Sequence, residues 1–305
     1  MADYTGSGDD RPLAKLIEEL ATKQGFTESS LKGVKFVRSN KPIPRNPVVY
    51  EPSIVIIAQG HKTGYLGNEV YRYDPYNYLV LSVPLPFECE TSGTPEEPLL
   101  GVMISVDVTT DSELLLDMDD NASLSGSMPR GIYSTPLTNE MLCATERLLE
   151  SMQNPLDGRM LGPQIVREII YRVLCGEQGG ALRLLAARHS RFSQIAKVMK
   201  RMHTEYGSEL DISTLASEAN MSVSSFHSNF KAVTAVSPLQ YLKSIRLHKA
   251  KVMMIQDGIS ASSAASRVGY ESASQFSREF KRYFGCNPSE AVAQMRAVVE
   301  SPSGG

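Results

Sequence analysis

The chain changes its hydrophobic rhythm twice. Residues 11–24, "RPLAKLIEELATKQ", set Leu13, Leu16, Ile17 and Leu20 three and four apart, the spacing of one buried helical face, and Gly25 follows as a stop. From about 34 to 110 the rhythm is that of strands. Short runs rich in β-branched and aromatic residues ("GVKFVRS", "SIVIIAQG", "EVYRY", "NYLVLSV", "LLGVMISVDV") alternate with Pro, Gly, Asn and Asp, which predicts a compact antiparallel barrel or sandwich. His61 falls within this region in the glycine-flanked stretch "QGHKTGY", which reads as a hairpin turn. Helical spacing returns in "DSELLLDM" from 111, "TNEMLCATERLLESM" from 138 and "GPQIVREIIYRVLC" from 162. The last two carry apolar positions suited to packing on one another or on a second subunit. "GEQGG" at 176–180 interrupts the pattern, and the polar "RHSRFSQ" nearby marks the expected domain boundary.

From about 193 onward every segment reads as helix. "RFSQIAKVMKRMHTEY" is followed by the short "ISTLASEAN", a tight turn at Met221 and Ser222, and "VSSFHSNFKAV". The long "SPLQYLKSIRLHKAKVMMIQ" opens with Ser237 as N-cap, Pro238 at N1 and Gln240 at N3, a capping box. Asn287, Pro288 and Glu290 repeat the device in "NPSEAVAQMR".

This part contains an internal repeat. "TLASEAN" leads by a turn into "SVSSFHSNFK", and "SAASRVG" leads by a turn into "ESASQFSREFK". Leu215 and Ala216 match Ala264 and Ala265, Ala219 matches Val268, and Phe226 and Phe230 match Phe276 and Phe280. The offset is 49 residues before the turn and 50 after it, so the second turn is one residue longer. Short helix, tight turn, second helix is the helix-turn-helix unit. In each second helix two Phe four apart fix one stripe in a small core, and the opposite stripe is left to lie in the major groove of DNA. The candidate DNA-binding residues are Ser224, Ser225, His227, Ser228 and Lys231 in the first unit. In the second they are Ala273, Ser274, Gln275, Arg278, Lys281 and Arg282. The helix joining the units runs from Pro238 to about Ile255, roughly 27 Å at ~1.5 Å per residue. Successive major grooves on one face of a duplex lie about 34 Å apart, so a rod of that length suits two adjacent grooves.

Charge sharpens this division. The net charge is −3, yet residues 191–296 hold 14 Lys/Arg against 8 Asp/Glu, while residues 1–190 hold 17 against 25. A positive surplus on one domain is what a polyanion-binding module shows. At 305 residues, with 42% apolar and 21% charged residues, the chain has room for two domains with separate cores. No apolar run reaches the roughly 20 residues of a membrane helix. The polar, acidic "MADYTGSGDDR" carries no secretion signal, so the cytoplasm is the expected compartment and no membrane partner is expected. Cys89, Cys143, Cys175 and Cys286 lie far apart without a C-x-x-C pair, as in a reduced compartment.

The segments "LASEANMSVSSFHSNFKAVTAVSPLQYLKSIRLHKAKVMM" and "VGYESASQFSREFKRYFGCNPSEA" closely resemble the AraC-type (AraC/XylS) transcription regulators, the second with Gly269, Tyr270, Ser274, Gln275, Phe276, Phe280, Lys281, Gly285 and Pro288 all in place. "EPSIVIIAQGHKTGYLGNEVYRYDPYNYLVLSVPLPFECET" is similar to the cupin-like N-terminal domain of one subgroup. The resemblance implies an α+β two-domain chain. Residues 1–188 would form a small cupin-like β-barrel (about 34–110) with packed helices (about 138–176) that senses a signal or dimerises. Residues 193–298 would form an all-α domain with helix-turn-helix units at about 211–232 and 260–283. It further implies a regulator, usually an activator, with promoter or operator DNA and RNA polymerase as partners, a small organic effector, and a homodimer. One departure matters: the family often places a long basic side chain where Ser228 stands, so the first unit is expected to read DNA weakly and Arg278 to carry more specificity.

Other chemistry finds less support. Cupin metal sites use several His and a carboxylate, whereas residues 1–188 contain His61 alone, so no metal or other cofactor is expected. No G-x-S-x-G, G-x-G-x-x-G or Walker sequence is present, and catalysis is not expected. Cys89 sits between two acids in "FECET" and reads as a small half-buried strand residue; Cys143 and Cys175 read as core residues. The tyrosines 65, 71, 73, 76 and 78 suit either a small pocket or plain β-propensity. Two rivals remain: an effector-free regulator whose barrel only dimerises, and a barrel enzyme tethered to DNA.

Overall fold

Burial alternates along the strands as pleating requires. In β5 (His61–Leu66) Lys62, Gly64 and Leu66 point inward while their neighbours are half-exposed. The structure, a computed structural model, describes residues 12–106, 114, 128–187 and 190–300. Its N-terminal part begins with helix α1 (Pro12–Leu20) and continues through nine strands to residue 105: β1 (Gly25–Glu28), β2 (Val34–Ser39), β3 (Ile43–Tyr50), β4 (Ser53–Gln59), β5, β6 (Glu69–Tyr73), β7 (Asn77–Leu81), β8 (Leu85–Ser92) and β9 (Leu99–Ser105). A tenth, β10 (Ile132–Pro136), follows. They form two antiparallel sheets, ordered β1-β2-β9-β4-β7-β10 and β3-β8-β5-β6. Both sheets contribute to one apolar interior. Strand β4 is buried along nearly its whole length because α1 covers its other face with Leu13, Ala14 and Ile17.

Several elements differ from the sequence pattern. Helix α1 stops at Leu20, and Gly25 opens β1 instead of ending the helix. The turn expected over "QGHKTGY" is confined to Gly60, and His61 already lies in β5. Strand β3 was hidden by Pro44 and Pro47; it is an edge strand with an irregular register between Ile43 and Asn46, where missing amide donors are tolerated. The helix expected over "DSELLLDM" lies outside the described residues apart from Leu114, which is buried.

Helices α2 (Asn139–Met152), α3 (Pro155–Met160), α4 (Gly162–Cys175) and α5 (Gly180–Ala186) follow, with α2 and α4 packed together. Cys143 and Cys175 are exposed, which corrects their assignment to the core: the inward positions of these helices are Ala144, Leu148, Leu149, Ile169, Ile170 and Val173. Cys89 is more deeply placed than expected, 2% exposed on β8.

The remaining chain is helical: α6 (Arg191–Thr204), α7 (Ile212–Glu218), α8 (Val223–Thr234), α9 (Pro238–Gln256), α10 (Ala261–Arg267), α11 (Ala273–Phe284) and α12 (Pro288–Glu300). The sequence punctuates them. Ser190, Asp211, Ser222, Ser237, Ser260 and Ser272 each accept a hydrogen bond from the amide three residues on. At α12 the capping box is complete, since Asn287 N donates to Glu290 and Glu290 N donates to Asn287. Among the described residues no helix is long and apolar enough to cross a membrane.

Candidate nucleic-acid interface

The repeat becomes two helix-turn-helix units, α7–α8 and α10–α11. In the first turn Met221 N donates to Ala216 O at 2.9 Å; in the second Tyr270 N donates to Ala265 O at the same distance. The chain reverses through a left-handed residue in both, Asn220 at φ 53° and Gly269 at φ 81°. Gly269 is required twice over, because a Cβ there would also stand 2.8 Å from Gly207 O. The N-caps of the second helices, Ser222 and Ser272, are 50 apart, so the extra residue lies in the second turn.

In each second helix the Phe pair is fully buried with ring centroids 5.5 Å apart, Phe226 with Phe230 and Phe276 with Phe280. That fixes which face turns outward. Ser224, His227, Ser228 and Lys231 on α8 are exposed, and so are Ala273, Ser274, Gln275, Arg278, Lys281 and Arg282 on α11; Ser225 is half-buried. Among the described residues no hydrogen bond or ion pair engages the side chains of Lys231, Arg278, Lys281 or Arg282. The Gln275 amide donates to Glu279 at 3.2 Å, and the Ser225 hydroxyl accepts from Asn229 at 3.1 Å.

Residues behind these faces, which the sequence did not single out, hold them in place. Glu279 binds Lys243 of α9 at 3.1 Å and the Tyr270 hydroxyl at 2.9 Å. Burial pushes its carboxyl up, but the hydrogen bonds from Gln275, Lys243 and Tyr270 prevail and keep it below its ordinary range. Arg246 of α9 donates to the carbonyls of Tyr206, Ser208 and Gly269, tying the end of α6 to the second turn. Most of these contacts leave a signal only in space, since the partners of Arg246 are 23 to 40 positions away and Lys243 is 36 from Glu279.

The first unit is bound to the β domain. Arg130, just before β10, donates to the carbonyls of Lys231 and Ala232 at the C-terminal end of α8 and pairs with Glu69 at 3.0 Å. Gly131 N donates to Val233 O. The Tyr241 hydroxyl donates to Pro84 O at 2.7 Å, so its oxygen accepts from His203 Nε2, and His203 Nδ1 stands 3.6 Å from Glu51.

Elsewhere, the tyrosines divide: Tyr73 and Tyr78 are buried, Tyr65 and Tyr71 half-buried, and Tyr76 exposed. Among the described residues no group of three or more His, Cys, Asp or Glu lies together as a metal site would require.

Residues 30–181 match the family described as the AraC-type transcriptional regulator N-terminus, and residues 215–294 match a helix-turn-helix domain. The Virulence regulon transcriptional activator VirF of Yersinia enterocolitica is 26% identical over 79% of this chain and 89% of its own length. The Msm operon regulatory protein of Streptococcus mutans is 27% identical over 40% of this chain, which spans only 44% of that relative. Among solved structures, ToxT from Vibrio cholerae bound to (E)-4-(8-methylnaphthalen-1-yl)but-3-enoic acid has a TM-score of 0.57 at 12% identity, over 87% of this chain and all of that one. At that identity the likeness is one of fold.

Proposed function

We propose that this chain, which belongs to the AraC-type transcriptional regulators, binds promoter DNA sequence-specifically in the cytoplasm and activates transcription in response to a small organic effector. The observation that carries the reading is the pair of matching helix faces, each anchored by two buried Phe and each presenting unpaired polar or basic side chains to solvent. Arg278 reads a base edge, with Ser274 and Gln275 beside it, while Lys231, Lys281 and Arg282 meet phosphates. The first unit, with Ser228 where Arg278 stands in the second, supplies positioning more than discrimination. Helix α9, about 28 Å long at ~1.5 Å per residue, spaces the units for adjacent major grooves.

Activation is supported by the role of the relative VirF as a transcriptional activator, and RNA polymerase is then a partner. Sensing is supported by the organic acid bound to ToxT and by the contacts that Arg130, Tyr241 and His203 make between the β domain and the first unit. The β domain serves recognition and assembly with a second copy, and it catalyses no reaction.

The test is a selection of random duplex oligonucleotides by the purified full chain. Enrichment of a motif spanning two successive major grooves is expected. Recovery of unenriched sequence, with the protein folded, would overturn the proposal.

A further inference from the structure

The four-stranded sheet touches both helix-turn-helix units, and it does so near opposite edges. At one edge β3 lies against α11, and α9 rests on β3 and its neighbour β8. Burial pushes the Tyr283 hydroxyl of α11 up, and the Glu88 carboxylate of β8 adds to it, which puts that end of the helix beside the sheet. Toward the other edge the turn between β5 and β6 abuts the end of α8, where a Cβ on Gly67 would stand 3.2 Å from that of Ala235. Glu69, the first residue of the edge strand β6, pairs with Arg130 at 3.0 Å. Three strand spacings of ~4.8 Å separate the edges, about 14 Å.

Arg130 is the firmest of these ties. Its guanidinium reaches from Glu69 to the carbonyls of Lys231 and Ala232, at 2.9 and 2.6 Å, in the last turn of α8. A cation there also meets the negative end of the helix dipole. The Tyr71 hydroxyl donates to the other Glu69 oxygen, so the brace is itself held. The backbone that Arg130 grips is that of Lys231, whose side chain faces outward. Helix α9 sets the distance between the units, and a rod by itself does not set their rotation about its axis. The second unit is tied to the rod by Lys243 and Arg246, and the first by Tyr241 packed edge-on against Phe230 at 5.3 Å. The sheet adds a second seat for the first unit. Rotation matters because one base pair changes the relation of two grooves by ~3.4 Å and ~35°.

We propose that Arg130, braced by Glu69, is a positioning residue for DNA recognition: with the sheet as a common seat for both units, it restricts the chain to one spacing between the two segments of its site. The inference rests on the reading of α8 and α11 as probes of successive major grooves. It assigns the β domain a part in specificity although none of its side chains need touch DNA.

The test measures the affinity of the full chain for the selected duplex and for versions with one base pair inserted or removed between the two segments. The wild type is expected to bind each altered duplex about tenfold or more weakly. In Arg130→Met that penalty shrinks to about threefold or less, because the freed unit can follow its groove. Arg130→Lys keeps the cation and a donor for the carbonyls, and restores part of the penalty. Glu69→Ala removes the exposed brace, relaxes the penalty by less, and serves if the Met variant does not fold. Ile17→Val thins the core between α1 and β4, away from the units, and should leave the penalty at its wild-type value. That variant separates positioning from lost stability. A wild type indifferent to spacing overturns the inference. So does an affinity that changes equally on all three duplexes in Arg130→Met, or in Glu69→Ala where the Met variant does not fold, and so does the same relaxation in Ile17→Val. Specific DNA binding with an unaltered penalty in the variants fails this inference alone; no specific binding by the wild type fails the regulator reading as well.

Discussion

The two helix-turn-helix units share a plan and differ in what they stand on. The first has no core of its own: Phe226, Phe230, Val233, Tyr241, Leu242 and Ile245 belong to one apolar cluster with the strands of the β domain. The second is separate, with Leu247, Ala250, Met254, Ala264, Ala265, Val268, Phe276, Phe280 and Ala291 closing a smaller core. Helix α9 passes from one to the other between Ile245 and Leu247. Their recognition helices end differently too. Helix α8 finishes with Ala235 in a left-handed conformation at φ 63°, its carbonyls held by Arg130, whereas α11 finishes with Gly285 at φ 77°. The comparison teaches a division of labour. The unit fused to the β domain carries serines at its outward face, and the unit with its own core carries Arg278.

The largest test of that contrast is truncation of one Phe in each unit. Phe230→Ala and Phe280→Ala each remove a fully buried ring and cost about 3–5 kcal/mol. By hydrogen exchange, Phe230→Ala is expected to weaken protection across α8 and the β strands together. Phe280→Ala is expected to weaken α10 to α12 and leave the strands unchanged. The same outcome for both would erase the distinction.

Next comes readout. Arg278→Ala should lose about 1–3 kcal/mol of binding to the selected site and relax preference at one base pair. Ser228→Ala should change affinity by far less. Lys281→Ala should weaken all sequences alike and lower the salt slope by about one. An equal loss on every sequence for Arg278→Ala would make it a phosphate contact.

Acid should act on the second unit first. Burial, with Lys251 adding to it, pushes the His248 imidazole down to about 3. The folded chain therefore keeps it neutral, while the unfolded chain takes up a proton below about 6.5. Stability is whole above pH 6.5 and is lost as pH falls toward 3, by about 1.4 kcal/mol at pH 5.5. Exchange from α10 and α11 should accelerate between pH 7.5 and 5.5 after correction for intrinsic rates, and His248→Leu should remove the effect. The smallest change is Gly285→Ala. Open space surrounds that position, so the cost is backbone strain alone, about 1 kcal/mol by thermal melting.

Much of this was legible in the chain, and the reasons are local. The repeat, the caps and the Phe stripes are short-range patterns, and they fixed the outward residues of α8 and α11. Strand β3 was obscured because Pro44 and Pro47 argue against a strand unless its edge position is known. Cys143 and Cys175 were misplaced because a long amphipathic helix does not reveal which of its marginal positions turns inward. The supports of the interface, Arg130, Arg246 and Glu279, depend on partners brought together by folding. No spacing rule announces them.

Methylation interference on the selected duplex tests the central claim most directly, since it reports guanine N7 in the major groove. Two interfering segments on one face, about 10 base pairs apart, are expected. Arg278→Ala should lose a guanine from one segment and leave the other intact. A single segment, two on opposite faces, or an unchanged pattern in Arg278→Ala would contradict the account.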